Sequence, residues 1–209
     1  MILDIHTHHQ APQPQGVISL RFQGECFELT EGQAYSIGIH PWDANIALSE
    51  KDWSNFLEIA QRPEIVAIGE CGIDVSCKDI PMFRQLNLFK RQIEISEKLN
   101  KPMVIHDVKA HDMIIGLRKD LDPSNQWVIH GFRGKPQVME MLLRSGCYIS
   151  FGPLFNRDSL ARMPQERILA ETDESPCDIS HVISQISEIK NKDMAEIIKI
   201  NTLSFLKDS

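Results

Sequence analysis

The chain has 209 residues, 42% of them apolar and 24% charged, and carries a formal net charge of −7. Single cores run to about 250 residues, and no Pro/Gly/Ser-rich linker or shift in composition marks a boundary, so one domain over residues 1–209 is expected. The acidic balance excludes a broad basic face, so strong duplex DNA binding is not expected and any nucleic-acid contact is local to a site. The chain opens on Met-Ile-Leu-Asp-Ile-His without the basic and apolar regions of a secretory leader. No apolar run approaches the roughly 20 residues that span a bilayer. The cysteines are Cys26, Cys71, Cys77, Cys147 and Cys177, an odd number without a Cys-x-x-Cys pair. Reduced thiols in the cytoplasm are the natural expectation, and no oligomeric state follows from the sequence.

In chain order, Ile2–Ile5 reads as a first strand, followed by a polar, proline-containing loop at Gln10–Gln15. Between His8 and His40 there is no helical stripe; Val17–Phe22 and Cys26–Leu29, around Gly24, read as a hairpin or short strands. Tyr35–Ile39 is the next strand. Ser49 with Asp52 resembles a capping pair, and Trp53, Phe56, Leu57 and Ala60 then share one helical face. After a strand at Ile65–Ile68, a stripe of Met82, Phe83, Leu86, Phe89 and Ile93 marks a second helix. Strands follow at Met103–Ile105 and Trp127–Ile129. Val138, Met141 and Leu142 then form a stripe that stops at Gly146. Strands at Tyr148–Phe151 and Ile168–Ala170 precede a last helix on Met194, Ile197, Ile198 and Phe205. Several strands are apolar throughout, as in a parallel sheet buried on both faces. Repeated strand–helix alternation leaves two architectures, a closed barrel or an open doubly wound sheet.

The chemistry favours closure. His6 and His8, Glu70, His106, His130 and Asp173 each stand at the C-terminal end of an expected strand. In a β/α barrel those ends open on one face, where active sites form. An open sheet gathers residues from only a few strands at its switch point. His6 and His8 are two apart, so their side chains project to one side of the strand. Imidazoles suit zinc, manganese or iron, and a carboxylate such as Glu70 can bridge two cations. Paired cations about 3.5–4 Å apart can clamp a phosphoryl group and hold a bridging hydroxide as nucleophile. Asp173 could both bind metal and take the proton of the attacking water, which makes Asp173 and Glu70 the expected catalytic carboxylates.

The ordered segments Asp4-Ile-His-Thr-His8, Gly38-Ile-His-Pro-Trp42, Ala67-Ile-Gly-Glu-Cys-Gly-Ile-Asp74 and Pro102-Met-Val-Ile-His106 carry a resemblance. It continues in His130-Gly-Phe-Arg-Gly134, Tyr148-Ile-Ser-Phe-Gly152, Glu171-Thr-Asp173 and the Asn201/Phe205 ending. Together they resemble the TatD family of metal-dependent hydrolases, in the amidohydrolase-type barrel group. The resemblance implies an α/β, TIM-type (β/α) barrel with two divalent cations (zinc, manganese or magnesium). One cation would be held by His6, His8, Glu70 and Asp173, and Glu70 would bridge to a second on His106 and His130. Phosphodiester hydrolysis in DNA, including exonuclease activity, is the implied reaction, with a small or single-stranded nucleic acid as substrate.

The interval between the first His-x-His and Gly-Ile-His-Pro is shorter than the family's, so the barrel is expected to be shortened or incomplete in its first β/α unit. Asp107-Val108 stands where the family commonly has serine and arginine, and Arg133 replaces the serine of His-x-Phe-Ser-Gly. The loop after Asp173 is abbreviated, with Cys177 for the usual aromatic. The metal site is thus expected intact on an altered rim. A carboxylic ester, lactone or amide hydrolase on the same site, or a metal-binding protein without turnover, stays open.

Of the remaining residues, His40 could hold an anionic substrate oxygen or shape the loop at Pro41. Arg133 and Lys135 could meet a phosphate at the mouth or be solvated. Asp74 could position a water or cap the next segment, and Asp107 could orient a neighbour or be a loop carboxylate. His9 is expected to be structural, His111 and His181 to lie on the surface, and Cys71 to be a packed core thiol.

Overall fold

The computed structural model describes residues 2–9 and 11–207. Eight parallel strands close into a barrel in sequence order: β1 (Asp4–Thr7), β2 (Gly16–Arg21), β3 (Ala34–Gly38), β4 (Ile65–Asp74), β5 (Met103–Val108), β6 (Trp127–Ile129), β7 (Tyr148–Phe151) and β8 (Ile168–Ala170). Closure is made where Asp4 of β1 faces Ala170 of β8. The helices are α1 (Glu50–Ala60), α2 (Met82–Leu99), α3 (His111–Leu121), α4 (Pro136–Arg144), α5 (Arg157–Arg162), α6 (Ile179–Lys190) and α7 (Ala195–Lys207).

The expected hairpin before His40 is corrected. β2 runs parallel to both neighbours, pairing Asp4 with Gly16 and Val17 with Ala34, and Cys26–Leu29 is a loop. The strand set is therefore complete, and what is abbreviated is the helical shell. Among the described residues no helix lies between β1 and β3. Parallel strands are ordinarily joined by a crossover helix. Here Phe27 and Leu29 of the loop pack on a core that includes Ile18, Leu20 and Phe22, the apolar side chains of β2 and its end. Gln10, where the expected Gln10–Gln15 loop begins, lies outside the described residues.

Inside the barrel, Ile5, Val17, Ala67, Val104, Val128 and Leu169 form an apolar layer toward the N-terminal ends of the strands. Phe205 of α7 joins that layer, its ring 5.5 Å from Tyr148. This half of the barrel is apolar, and the opposite half carries the polar residues.

α1 begins with the expected box: Ser49 accepts from the Asp52 amide while the Asp52 carboxylate accepts from the Ser49 amide. Gly146 follows α4 with φ +88°, the left-handed conformation that suits glycine past a helix end. The stripe expected on α2 holds at Met82, Leu86, Phe89 and Ile93 but fails at one residue. Phe83 is exposed, and the inner face is Gln85, Phe89, Gln92, Ile93 and Ser96. Two buried glutamines on that face reflect a positioning task described below.

Candidate metal centre

β1 delivers His6, buried in the barrel mouth, and His8 just beyond the strand. Asp173 is held beside them by backbone alone: its amide donates to the His6 carbonyl (3.0 Å), and its carbonyl accepts from the His8 amide (3.0 Å). Asp4 ties the same corner, accepting from Thr172 Oγ1 (2.6 Å) and from the Thr172 and His6 amides. Burial pushes the Asp4 carboxyl up to about 7 against those hydrogen bonds. Glu70 does not end its strand, as the sequence suggested. β4 continues to Asp74, and the β4–β5 register shifts between Ile68 and Cys71. A Cβ on Gly72, which has φ +147°, would collide with the His106 carbonyl oxygen, so glycine there permits this approach. His106 likewise lies within β5, two residues before its end.

These side chains converge around Glu70. Its Oε2 lies 3.6 Å from His6 Nε2 and 3.3 Å from His8 Nε2, and Asp173 Oδ1 is 3.7 and 3.6 Å from the same two nitrogens. Its Oε1 lies 2.6 Å from His106 Nδ1 and 2.8 Å from His130 Nε2. One carboxylate thus serves two imidazole sets with different oxygens. Burial alone would raise the Glu70 pKa, but His130, His106 and His40 outweigh it and hold the carboxyl well below its ordinary range. The hydrogen bond to Glu70 raises His8; His130 is desolvated, yet Glu70 and Glu171 push it well up. His6 Nε2 is buried without a hydrogen-bond partner while facing two carboxylates, and His/carboxylate groups of ligand size cluster at three overlapping points. A buried orphan nitrogen in such surroundings fits a cation, because a satisfied core histidine would have a partner.

His40 is brought into the same cluster, 3.2 Å from Glu70 Oε1 and 3.3 Å from His106 Nδ1 through Nε2. The Trp42 amide donates to its Nδ1 (3.2 Å), so the neutral ring carries its proton on Nε2 and presents a donor. Burial lowers the His40 pKa despite Glu70, which favours that neutral form. Arg133 is exposed at the mouth, where it lines two cavities, one of about 600 Å³ and one of about 410 Å³. Lys135 lines neither; Lys109 and His111 occupy the wall of the larger one instead, so His111 is not simply a surface residue. Asp107 lies on that wall too and accepts from the Ala110 amide (2.9 Å). His9 Nε2 lies 2.7 Å from the Ser175 carbonyl oxygen, a structural tie, and His181 is exposed. Cys71 is fully buried in the core outside the barrel, and burial pushes its thiol up.

Sequence reading missed the supports behind this cluster. His106 Nε2 faces Asp74 Oδ2 at 3.5 Å, and His130 Nδ1 faces Glu171 Oε1 at 3.6 Å. Each of these two imidazoles therefore has a carboxylate on its far side, which orients the ring. Burial opposes ionisation of Asp74, but hydrogen bonds from Ser76 and Trp42 prevail and lower its pKa. The α2 glutamines hold the backbone: Gln92 accepts from the Ile39 amide (2.8 Å) and donates to the Ile39 carbonyl (3.0 Å), and Gln85 does the same for Asp74 at 2.8 and 3.1 Å. Gln92→Met is expected to strand both Ile39 groups and cost about 2–5 kcal/mol of stability, since each buried unpaired group costs about 1–3 kcal/mol. Urea denaturation checks this, and an unchanged midpoint would remove the clamp from the account.

A family model for TatD related DNase matches residues 23–207. The metal-dependent hydrolase YabD of Bacillus subtilis is 29% identical over 188 residues, covering 80% of this chain and 73% of that protein. The 3'-5' ssDNA/RNA exonuclease TatD of Escherichia coli K12 is 28% identical over 76% of this chain and 70% of its own. The human 3'-5' RNA nuclease TATDN2 is 33% identical over 66% of this chain, which corresponds to 19% of that longer protein. The crystal structure of the TatD homolog YJJV from Escherichia coli K12 superposes with a TM-score of 0.85 at 21% identity, covering 98% of this chain and 97% of that one. With the matched segment taking in Glu70, His106, His130 and Asp173, the chain belongs to the TatD related DNase family and is a metal-dependent hydrolase.

Proposed function

We propose that this single-domain protein cleaves phosphodiester bonds in single-stranded nucleic acid at a two-metal centre. The observation that carries the reading is Glu70, whose two oxygens face separate imidazole sets. His6 Nε2, His8 Nε2, Glu70 Oε2 and Asp173 Oδ1 would hold one cation, and Glu70 Oε1, His106 Nδ1 and His130 Nε2 the other. When bound, two divalent cations polarise a phosphodiester and lower the pKa of the attacking water. Zinc, manganese and magnesium all fit the donor set. Asp173, at the open side of the cluster, accepts the proton of the water. His40 offers Nε2–H to an anionic oxygen of the substrate, a better use of a protonated ring nitrogen than coordination. Arg133 meets a neighbouring phosphate from the rim. Asp74 and Glu171 keep His106 and His130 oriented. TatD and TATDN2, relatives acting on single-stranded DNA and RNA or on RNA, support the substrate class.

The test is a screen of single-stranded oligonucleotides against carboxylic esters and lactones with added zinc, manganese or magnesium, and elemental analysis of the same sample. Oligonucleotide cleavage with two metals per chain is expected. Ester or lactone turnover alone would reassign the substrate, and bound metal with no turnover would make this a metal-binding protein.

Duplex DNA should bind weakly. The net charge is −7, and the cations at the mouth are local ones, Arg133 and Lys109. Tight, steeply salt-dependent duplex binding in filter assays would contradict this. No helix among the described residues is long and apolar enough to cross a membrane, and the five unpaired thiols suit the proposed cytoplasmic location.

A further inference from the structure

Trp42 is half exposed, at 50%, although Trp53 and Trp127 are at 9% and 0%. It is nevertheless a fixed side chain. Its Nε1–H donates to Asp74 Oδ2 (2.7 Å), and its ring meets His40 edge-on at 4.5 Å between centroids. The Arg21 guanidinium stands 5.7 Å from the ring centroid, itself paired with Asp43 of the same short turn at 2.5 and 2.8 Å. A tryptophan needed only to support Asp74 would bury its ring while bonding through nitrogen. This one holds its nitrogen inside and leaves apolar ring in the cavity shared by His106, His130 and Asp173.

The two cavities flanking the metal cluster differ in charge. The larger, about 600 Å³, sets Lys109 and Arg133, with His111, against Asp107 and Asp173 on a wall that also carries Trp42. The smaller, about 410 Å³, is lined by Glu171, Asp173 and Glu174, with Arg133 its one cation among the lining residues. The first is balanced in charge and the second carries an excess of carboxylates, so a polyanionic strand is favoured on the first side over the second. An immobilised, exposed aromatic beside cations is the arrangement that holds single-stranded nucleic acid, by stacking bases while the cations take phosphates. Because the ring is already fixed, stacking on it pays little ordering entropy.

We propose that Trp42 is a stacking platform for a nucleobase of the substrate, and that the strand occupies the Trp42–Lys109–Arg133 side of the mouth. This rests on the nuclease reading and adds to it a base contact that tolerates any sequence. The consequence is a preference for strands that carry bases over equally charged strands without them.

The experiment measures binding of phosphorothioate-linked oligothymidylate, and of the same backbone made abasic, to the protein as purified, by anisotropy of an end label. The quantity read is the ratio of the two affinities. The wild type should prefer thymidylate, with quenching of tryptophan fluorescence on binding. Trp42→Ala should shrink the preference about 10-fold, within the range of a lost base–aromatic stack, and Trp42→Phe should recover most of it. Loss of the Asp74 hydrogen bond is common to both variants and both ligands, so a purely supporting role would lower both affinities and leave the ratio unchanged. That result would overturn the proposal, as would a wild type without preference or without quenching. The wild-type quench and ratio need no folded variant. If the wild type neither binds nor cleaves any oligonucleotide, the nuclease reading itself has failed, and the platform falls with it.

Discussion

Glu70→Gln is expected to lower turnover by about 10³-fold or more and to empty both metal positions, the scale of removing a preorganised electrostatic group or worse. The side chain keeps its shape, so the loss isolates charge. As a carboxylate, Glu70 opposes five imidazoles at 2.6–3.6 Å from its two oxygens: His106, His130, His40, His8 and His6. As an amide it presents one oxygen and one NH2, and the NH2 can coordinate nothing. The amide is neutral, so both sets lose this anionic partner, and whichever way it turns one of them also faces the NH2. His6→Ala removes a nitrogen from one set only and is expected to reduce metal content partially. Elemental analysis beside a turnover assay separates the two patterns. If Glu70→Gln keeps two metals per chain and loses activity alone, Glu70 is not the bridging ligand. Retention of both metals and activity would remove Glu70 from the metal centre and from the reaction.

The same residue shows how far sequence carried the fold. Apolar, β-branched runs marked the barrel strands because a strand buried on both faces leaves no alternation to misread. The ligands could be gathered because strand ends meet on one face of a barrel whatever the spacing between them. β2 escaped because its crossover has no helical stripe: the loop at Phe27 and Leu29 covers the strand, and Gly24 then mimicked a hairpin turn. The polar part of the inner face of α2 escaped for another reason. Gln85 and Gln92 are buried to bond the backbone of Asp74 and Ile39, and a stripe counted in apolar residues skips them and selects Phe83 instead. Asp74 and Glu171 stand behind His106 and His130 across strands, a relation that needs register as well as order. Glu171 is visible inside Glu-Thr-Asp, but nothing in the sequence names His130 as its partner across the barrel. The rim was the least legible part, since Lys109 and Lys135 are equivalent as loop cations until the cavity wall is known.

Asp173→Asn is expected to keep the fold and much of the bound metal while losing about 10²-fold or more in turnover, the scale of a removed general base. The backbone favours this particular substitution. Asp173 sits at φ +55°, and asparagine is, after glycine, among the residues that best tolerate the left-handed region. Its amide and carbonyl stay bound to the backbone of His6 and His8 in either case. Alanine there would add strain to the loss of the ligand, so its phenotype would be mixed. Asparagine retains an oxygen where Oδ1 stands, 3.7 Å from His6 Nε2 and 3.6 Å from His8 Nε2. What it lacks is the negative charge and a site for a proton. The Asp173 side chain is also more open than Glu70, at 27% against 9% exposed, so it can reach solvent water as Glu70 cannot. Turnover at saturating metal, metal content and thermal midpoint should be measured on one preparation. Near-wild-type turnover would move the proton acceptor elsewhere, and loss of metal in step with activity would reduce Asp173 to a ligand.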